Sequence, residues 1–151
     1  MRLRILAALT FAVFLSSCGV KDANLPTPSE MFTAIQAAVE LPEMVDVADE
    51  LMEENTGIAL SDCDSAVYCI LEVGLAPDEI VIVRAKDNAA AAVIQEKLEK
   101  RLEYKEKSAE NYLTEYLPII KNGVVRRDGL TVSLIVSEQS AQIIEVYDNW
   151  N

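Results

Sequence analysis

The chain has 151 residues, with 25 acidic against 13 basic side chains, a formal net charge of -12 and no histidine. The acidic excess repels nucleic acid and anionic lipid headgroups, so no nucleic-acid partner is expected. Without histidine, the Ser-His-Asp and Cys-His nucleophile systems, the usual neutral-pH proton shuttle and nearly all zinc sites are closed to it.

The chain begins with Arg2 and Arg4, continues as an apolar run from Ile5 to Leu15, and then reads Ser16-Ser17-Cys18. Charged, apolar and small segments in that order make a secretory signal peptide. Two small residues directly before a cysteine make it a bacterial lipoprotein cleavage site. The Cys18 thiolate takes a diacylglyceryl group, with or without a further N-acyl chain, and a peptidase cuts in front of it. The apolar run is well short of the roughly 20 residues that a membrane-crossing helix needs. Residues 1–17 are therefore read as a removed leader, and the acyl chains on Cys18 as the anchor, since stable attachment takes two chains. The position after Cys18 is Gly19, not the aspartate of an inner-membrane retention signal. The expected location is the extracytoplasmic face of the cell membrane, and no other cofactor is expected.

Residues 18–27 form a polar, proline-containing tether. At Thr27 a helix starts with Thr as N-cap, Pro28 at the first helical position and Glu30 three residues after the cap. Met31, Ile35, Ala38 and Val39 make its apolar face, and Pro42 ends it. A second helix from about Asp46 to Asn55 presents Val47, Ala48, Leu51 and Met52, with Gly57 placed to leave it in a left-handed conformation. The period then changes. Ser65 to Gly74 and Glu79 to Ala85 are nearly continuous apolar runs joined by the turn Leu75-Ala76-Pro77-Asp78, which predicts a β-hairpin.

Asp87 caps a long helix from about Asn88 to Asn111, with Ala91, Ile94, Leu98 and Leu102 at helical spacing and Glu96–Lys100 and Glu103–Lys107 as solvent-side pairs. Gly123 to Arg127 and Leu130 to Ser137 flank Asp128-Gly129, the strongest short hairpin signal in the chain. Leu130, Val132, Leu134 and Val136 alternate with Thr131 and Ser133, which predicts one buried and one wetter face. A terminal helix from about Glu138 to Asn149 directs Ala141, Ile144, Tyr147 and Trp150 to the core. Two hairpin-plus-helix units after two N-terminal helices predict a single α+β domain over residues 28–151. Its expected core is a four-stranded antiparallel sheet with helices on one face.

Candidate sites are few. Cys63 and Cys69 are the thiols left after Cys18 is acylated, and export allows a disulfide between them. The alternative is two free cysteines, with Cys69 packed as a small apolar residue of the first strand. Asp62 and Asp64 form a D-x-D pair, but a calcium loop would need an oxygen ligand at Ala66 and a glycine at Val67. No metal site is assigned. Glu43, Asp46, Asp49, Glu50, Glu53 and Glu54 form an acidic stretch, read as a solvated helix face with a partner-docking or divalent-ion surface as the alternative. Arg84, Lys86, Arg126 and Arg127 lie at strand ends, where they offset nearby acids or converge on an anion. Arg126 and Arg127 must point to opposite faces of one strand. No glycine-rich phosphate loop or nucleophile elbow is present, and no catalytic residue is assigned.

Several stretches together cover nearly all of the chain after the leader. They are the Cys18 cleavage motif, NTGIAL after the second helix, EVGLAPDEIVIVRAKD, EKLEKRLEYKEKSAENY and GVVRRDGLTVSLIVS. On these the chain resembles the short bacterial lipoproteins grouped as domain of unknown function 4358. The resemblance implies a location and a layout, and carries no activity and no catalytic residue. Cys63 and Cys69 depart from that family's pattern. The expected role is a non-enzymatic, membrane-anchored module that binds or scaffolds an envelope protein or ligand. The alternatives are an anchored hydrolase using carboxylates with a metal, and a small-ligand-binding lipoprotein.

Overall fold

Thr27 begins the fold as the residues around it require. Its hydroxyl accepts from the Glu30 backbone N–H at 3.3 Å, and the Glu30 carboxylate accepts from the Thr27 N–H at 2.8 Å. This reciprocal box, with Pro28 at the first position, starts helix α1 (Pro28–Ala38). The computed structural model describes residues 26–150. After α1 come strand β1 (Met44–Asp46), helix α2 (Ala48–Thr56), and strands β2 (Cys63–Leu71) and β3 (Glu79–Ala85). The long helix α3 (Asn88–Tyr112) follows, then the short helix α4 (Leu117–Lys121), strands β4 (Val124–Asp128) and β5 (Thr131–Val136), and helix α5 (Ser140–Asp148).

The sheet has five strands in the order β1-β2-β3-β5-β4, with every neighbouring pair antiparallel. The α+β class expected from the sequence holds, but the four-stranded count does not. The extra strand, β1, is three residues long and separates α1 from α2. Three residues cannot display a period of two, so no pattern marked it. Asp46 ends it: the carboxylate accepts from the Ala48 N–H at 3.0 Å and from the Tyr68 N–H across the sheet at 3.2 Å. This bond delays α2 by two residues relative to the expected start. Gly57 closes α2 at φ 72°, the left-handed conformation a glycine adopts at least cost.

The expectation of helices on one face is also corrected, because both faces are covered. Val81, Val83 and Ala85 of β3 and Val132, Leu134 and Val136 of β5 pack against α2, α3 and α4 through Met52, Ala91, Ile94, Leu98 and Ile120. On the other face, Ile80, Ile82 and Ile135 pack against Met31 and Ile35 of α1 and Ile143 and Tyr147 of α5. Burial on both faces is why β3 reads as one continuous apolar run. In β5, Thr131 and Ser133 suggested a wetter face, yet both are fully buried beneath α1 and α5. Each fully buried aliphatic side chain contributes about 1.5–3 kcal/mol, so the stabilising weight lies on β3 and β5 rather than on the short edge strand β1.

Two details differ from the expectation. In α5 Tyr147 is buried as expected and Ile144 and Trp150 pack half-buried against the same cluster, but Ala141 is exposed and Ser140 and Ile143 take the core side. In the second hairpin Asp128 pairs with Thr131, so the turn residues are Gly129 and Leu130 rather than Asp128 and Gly129. Gly129 has φ 60° and Leu130 has a negative φ, the sign pattern of a type II′ turn with glycine first.

Candidate functional site

Most of the sites read from the sequence stay apart in the fold. Cys18, the leader 1–17 and all of the tether except Pro26 and Thr27 lie outside the described residues. Cys63 and Cys69 are both free and buried, and the disulfide is not formed. The reason is the strand that carries both: six residues of extended chain span about 20 Å, far beyond the roughly 4.4–6.8 Å that a bridge needs between Cα atoms. A register shift between Cys63 and Ser65 also turns them to opposite faces. Cys63 pairs with Ala85 of the α3 side, and Cys69 with Ile80 of the α1 side. Burial pushes both thiols up, aided by Asp62 at Cys63 and by Asp46 at Cys69, which reaches about 12. Protonated, buried thiols of this kind are inert.

Asp62 and Asp64 are exposed at the start of β2, and the acids Asp49, Glu50, Glu53 and Glu54 of α2 face solvent. Among the described residues, no group of three or more Asp, Glu or Cys side chains is placed to hold a metal ion. The strand-end cations have local partners. Arg126 donates to Asp148 at 2.6 Å, faces Asp128 at 3.4 Å and lies 4.9 Å from the Tyr147 ring centroid. Arg127, on the opposite face, donates to the Asn88 side chain and backbone at 3.2 Å. Lys86 reaches the Ser61 carbonyl. Arg84 donates to the carbonyl of Pro26 at 3.1 Å, which fixes the start of the domain to the end of β3.

The sequence reading missed two sites, and they sit on adjacent residues. Glu79, the first residue of β3, is 0 % exposed on the α3 side. Arg101 grips its two oxygens at 3.0 and 3.2 Å, and Lys105 donates to it at 2.6 Å. The Tyr68 hydroxyl completes the cluster, accepting from Asn55 at 3.0 Å and from Arg101 at 3.5 Å. Burial drives the Glu79 carboxyl up, but Lys105 and Arg101 outweigh it and hold the group below its ordinary value. Tyr68 is pushed up to about 12 by burial and the Glu79 charge. A fully paired triad of this sort is a structural clamp between β3 and α3. In the sequence Glu79 stands at the edge of an apolar run, and Arg101 and Lys105 look like ordinary helix-surface charges.

Asp78, one residue earlier, faces a groove of about 560 Å³ at the same end of the sheet. The groove is built from the segment after α1 (Glu40, Leu41, Pro42), the β2–β3 connection (Ala76, Asp78), Tyr116 before α4 and Ile119 within it, and the entry and first turn of α5 (Glu138, Gln139, Gln142). A second depression of about 380 Å³ shares Ile119 and Glu138 with it and runs towards Asn122 and Ile144. The volume lies within the range of small-ligand sites. Three carboxylates and no basic side chain line the larger groove. In the sequence Pro77-Asp78 reads as a turn and Pro42 as a helix stop, so nothing marks these residues as neighbours.

The sequence model of the family described as Domain of unknown function (DUF4358) matches residues 37–137. The chain belongs to this family. The matched segment runs from the end of α1 through β5, so it supplies Glu40, Asp78 and Tyr116 of the groove, while Glu138, Gln139 and Gln142 follow it. No curated protein and no solved structure matches the chain.

Proposed function

We propose that this DUF4358 protein is a lipid-anchored extracytoplasmic lipoprotein whose folded domain is a non-enzymatic binding module, with the groove as its binding site. The observation that carries this reading is polarity. Pro26, where the chain enters the domain, is tied to Arg84 at one end of β3, and Asp78 and the groove stand at the other. Six residues of strand separate those ends by about 20 Å. A domain held through Cys18 thus turns its groove away from the attachment point, towards whatever lies beyond the membrane surface. The leader pattern and the chemistry of Cys18 supply the anchor.

A second reading, the anchored carboxylate hydrolase, draws on the same groove, because Glu40, Asp78 and Glu138 come from three different elements. The binding reading is preferred because these acids are not gathered as metal donors among the described residues. Metabolic labelling with an alkyne fatty acid, followed by membrane fractionation, tests the anchor. Wild type is expected to be labelled and sediment with membranes, and Cys18→Ala to lose both; an unlabelled wild type, or a variant that stays with the membrane, contradicts the reading. Hydrolysis of a glycan or peptide by wild type that disappears in Asp78→Asn would move the conclusion to the second reading.

A further inference from the structure

We propose that the groove binds a cationic amine: a ligand whose protonated amino group, on a short aliphatic stem, lies against Asp78. The inference deepens the binding-module reading and rests on it. Its first support is the state of Asp78. The residue is 8 % exposed, and its carboxylate makes no hydrogen bond or ion pair among the described residues. It lines the groove, so the face left to its oxygens is the groove itself. The same fold shows how such a charge is ordinarily met, since the neighbouring Glu79 has two cations within 3.0 Å.

The second support is direction. Glu79 points to the α3 side, whereas Asp78, just before β3, lines the groove. That is where Glu40, Leu41, Gln139 and Gln142 form the walls. The third is chemistry. Glu138 directly precedes the α5 N-terminus, whose partial positive charge it offsets. Asp78 and Glu40 are then left to face the groove without compensation. No lysine or arginine lines it, so an anionic ligand would meet only repulsion. A divalent metal would need several converging oxygens, and the acids are not so gathered. Leu41 and Ile119 suit a short aliphatic stem, and the ring of Tyr116 in the same wall is a surface on which ammonium groups rest.

The test uses the mature lipidated protein, residues 18–151, in neutral detergent micelles, titrated with three probes of similar size whose heads differ in charge: n-butylammonium, butyrate and butanol. Amide NMR spectra report the site, with the Gln139 and Gln142 side-chain amides as internal markers. The expected result is a saturable shift confined to the groove with butylammonium and none with butyrate. Asp78→Asn is expected to weaken amine binding by about tenfold or more, the usual scale for a lost charge-assisted pair. Asp62→Asn, an exposed acid elsewhere, is expected to leave it unchanged. Equal binding by Asp78→Asn, or shifts spread evenly over the acids of α2, overturns the proposal. Occupation of the groove by butyrate or butanol instead of the amine also overturns the proposed ligand class, while leaving the binding-module reading intact. Absence of any saturable shift at the groove overturns both, whereas the Cys18 labelling result stands apart from all of these.

Discussion

Glu79 and Asp78 are adjacent, carry the same charge and are both buried, yet the fold treats them in opposite ways. Glu79 turns to the α3 side, where Arg101 and Lys105 close on it and Tyr68 and Asn55 extend the network. Asp78 lines a groove at the end of the sheet that holds no cation. One carboxylate is spent on holding β3 to α3. The other has no hydrogen-bond or ion-pair partner among the described residues and lines the groove proposed above as the binding site.

The largest expected effect comes from breaking the paired side. Arg101→Ala leaves Glu79 buried with one of its two cations gone, and should lower unfolding free energy by about 3–5 kcal/mol, the usual cost of stripping a buried pair. Urea denaturation measures it; a loss within the range of an ordinary surface substitution would show that the triad is not a clamp. Tyr68→Phe should cost less, about 1–2 kcal/mol, because it removes a single acceptor from Asn55 and Arg101.

Acid should distinguish the two carboxylates as well. The folded-state pKa of Glu79 lies below its ordinary value. Its contribution to stability is therefore complete above the unfolded carboxylate value of about 4.3, and is lost as pH falls through the lowered folded value. A Glu79→Gln variant should show a flatter stability profile than wild type below about pH 4.3. Parallel profiles for the two proteins would contradict the assignment. The smallest effect is expected at Asp78→Asn, which removes an unpaired charge rather than a paired one. Its stability should equal wild type or exceed it by up to about 1 kcal/mol.

Legibility in the sequence followed the range of the interaction. Features set by a few neighbouring residues could be read directly: the Thr27–Glu30 box, Asp87 as the cap of α3, Gly57 after α2 and the Glu96–Lys100 pair at 2.7 Å. Both long hairpins were visible because β-branched runs alternate with turn residues. Three-residue β1 and five-residue α4 were too short to carry a period. The second helical layer was hidden for a different reason. Thr131 and Ser133 are polar but buried, so the pattern pointed to solvent where α1 and α5 lie. The groove was the least legible feature, since Glu40, Asp78, Tyr116 and Glu138 are far apart in the chain and each has a local role as helix end, turn or cap. Only the pairing of β3 with β2 and β5 brings them to one end of the sheet.

The most direct measurement is urea denaturation of wild type and Asp78→Asn, each with and without saturating n-butylammonium. A ligand that binds only the folded state raises stability in proportion to its occupancy. The account predicts that the variant is at least as stable as wild type without amine, and that the amine stabilises wild type alone. A variant clearly less stable than wild type, or an equal response of both proteins to the amine, would contradict it.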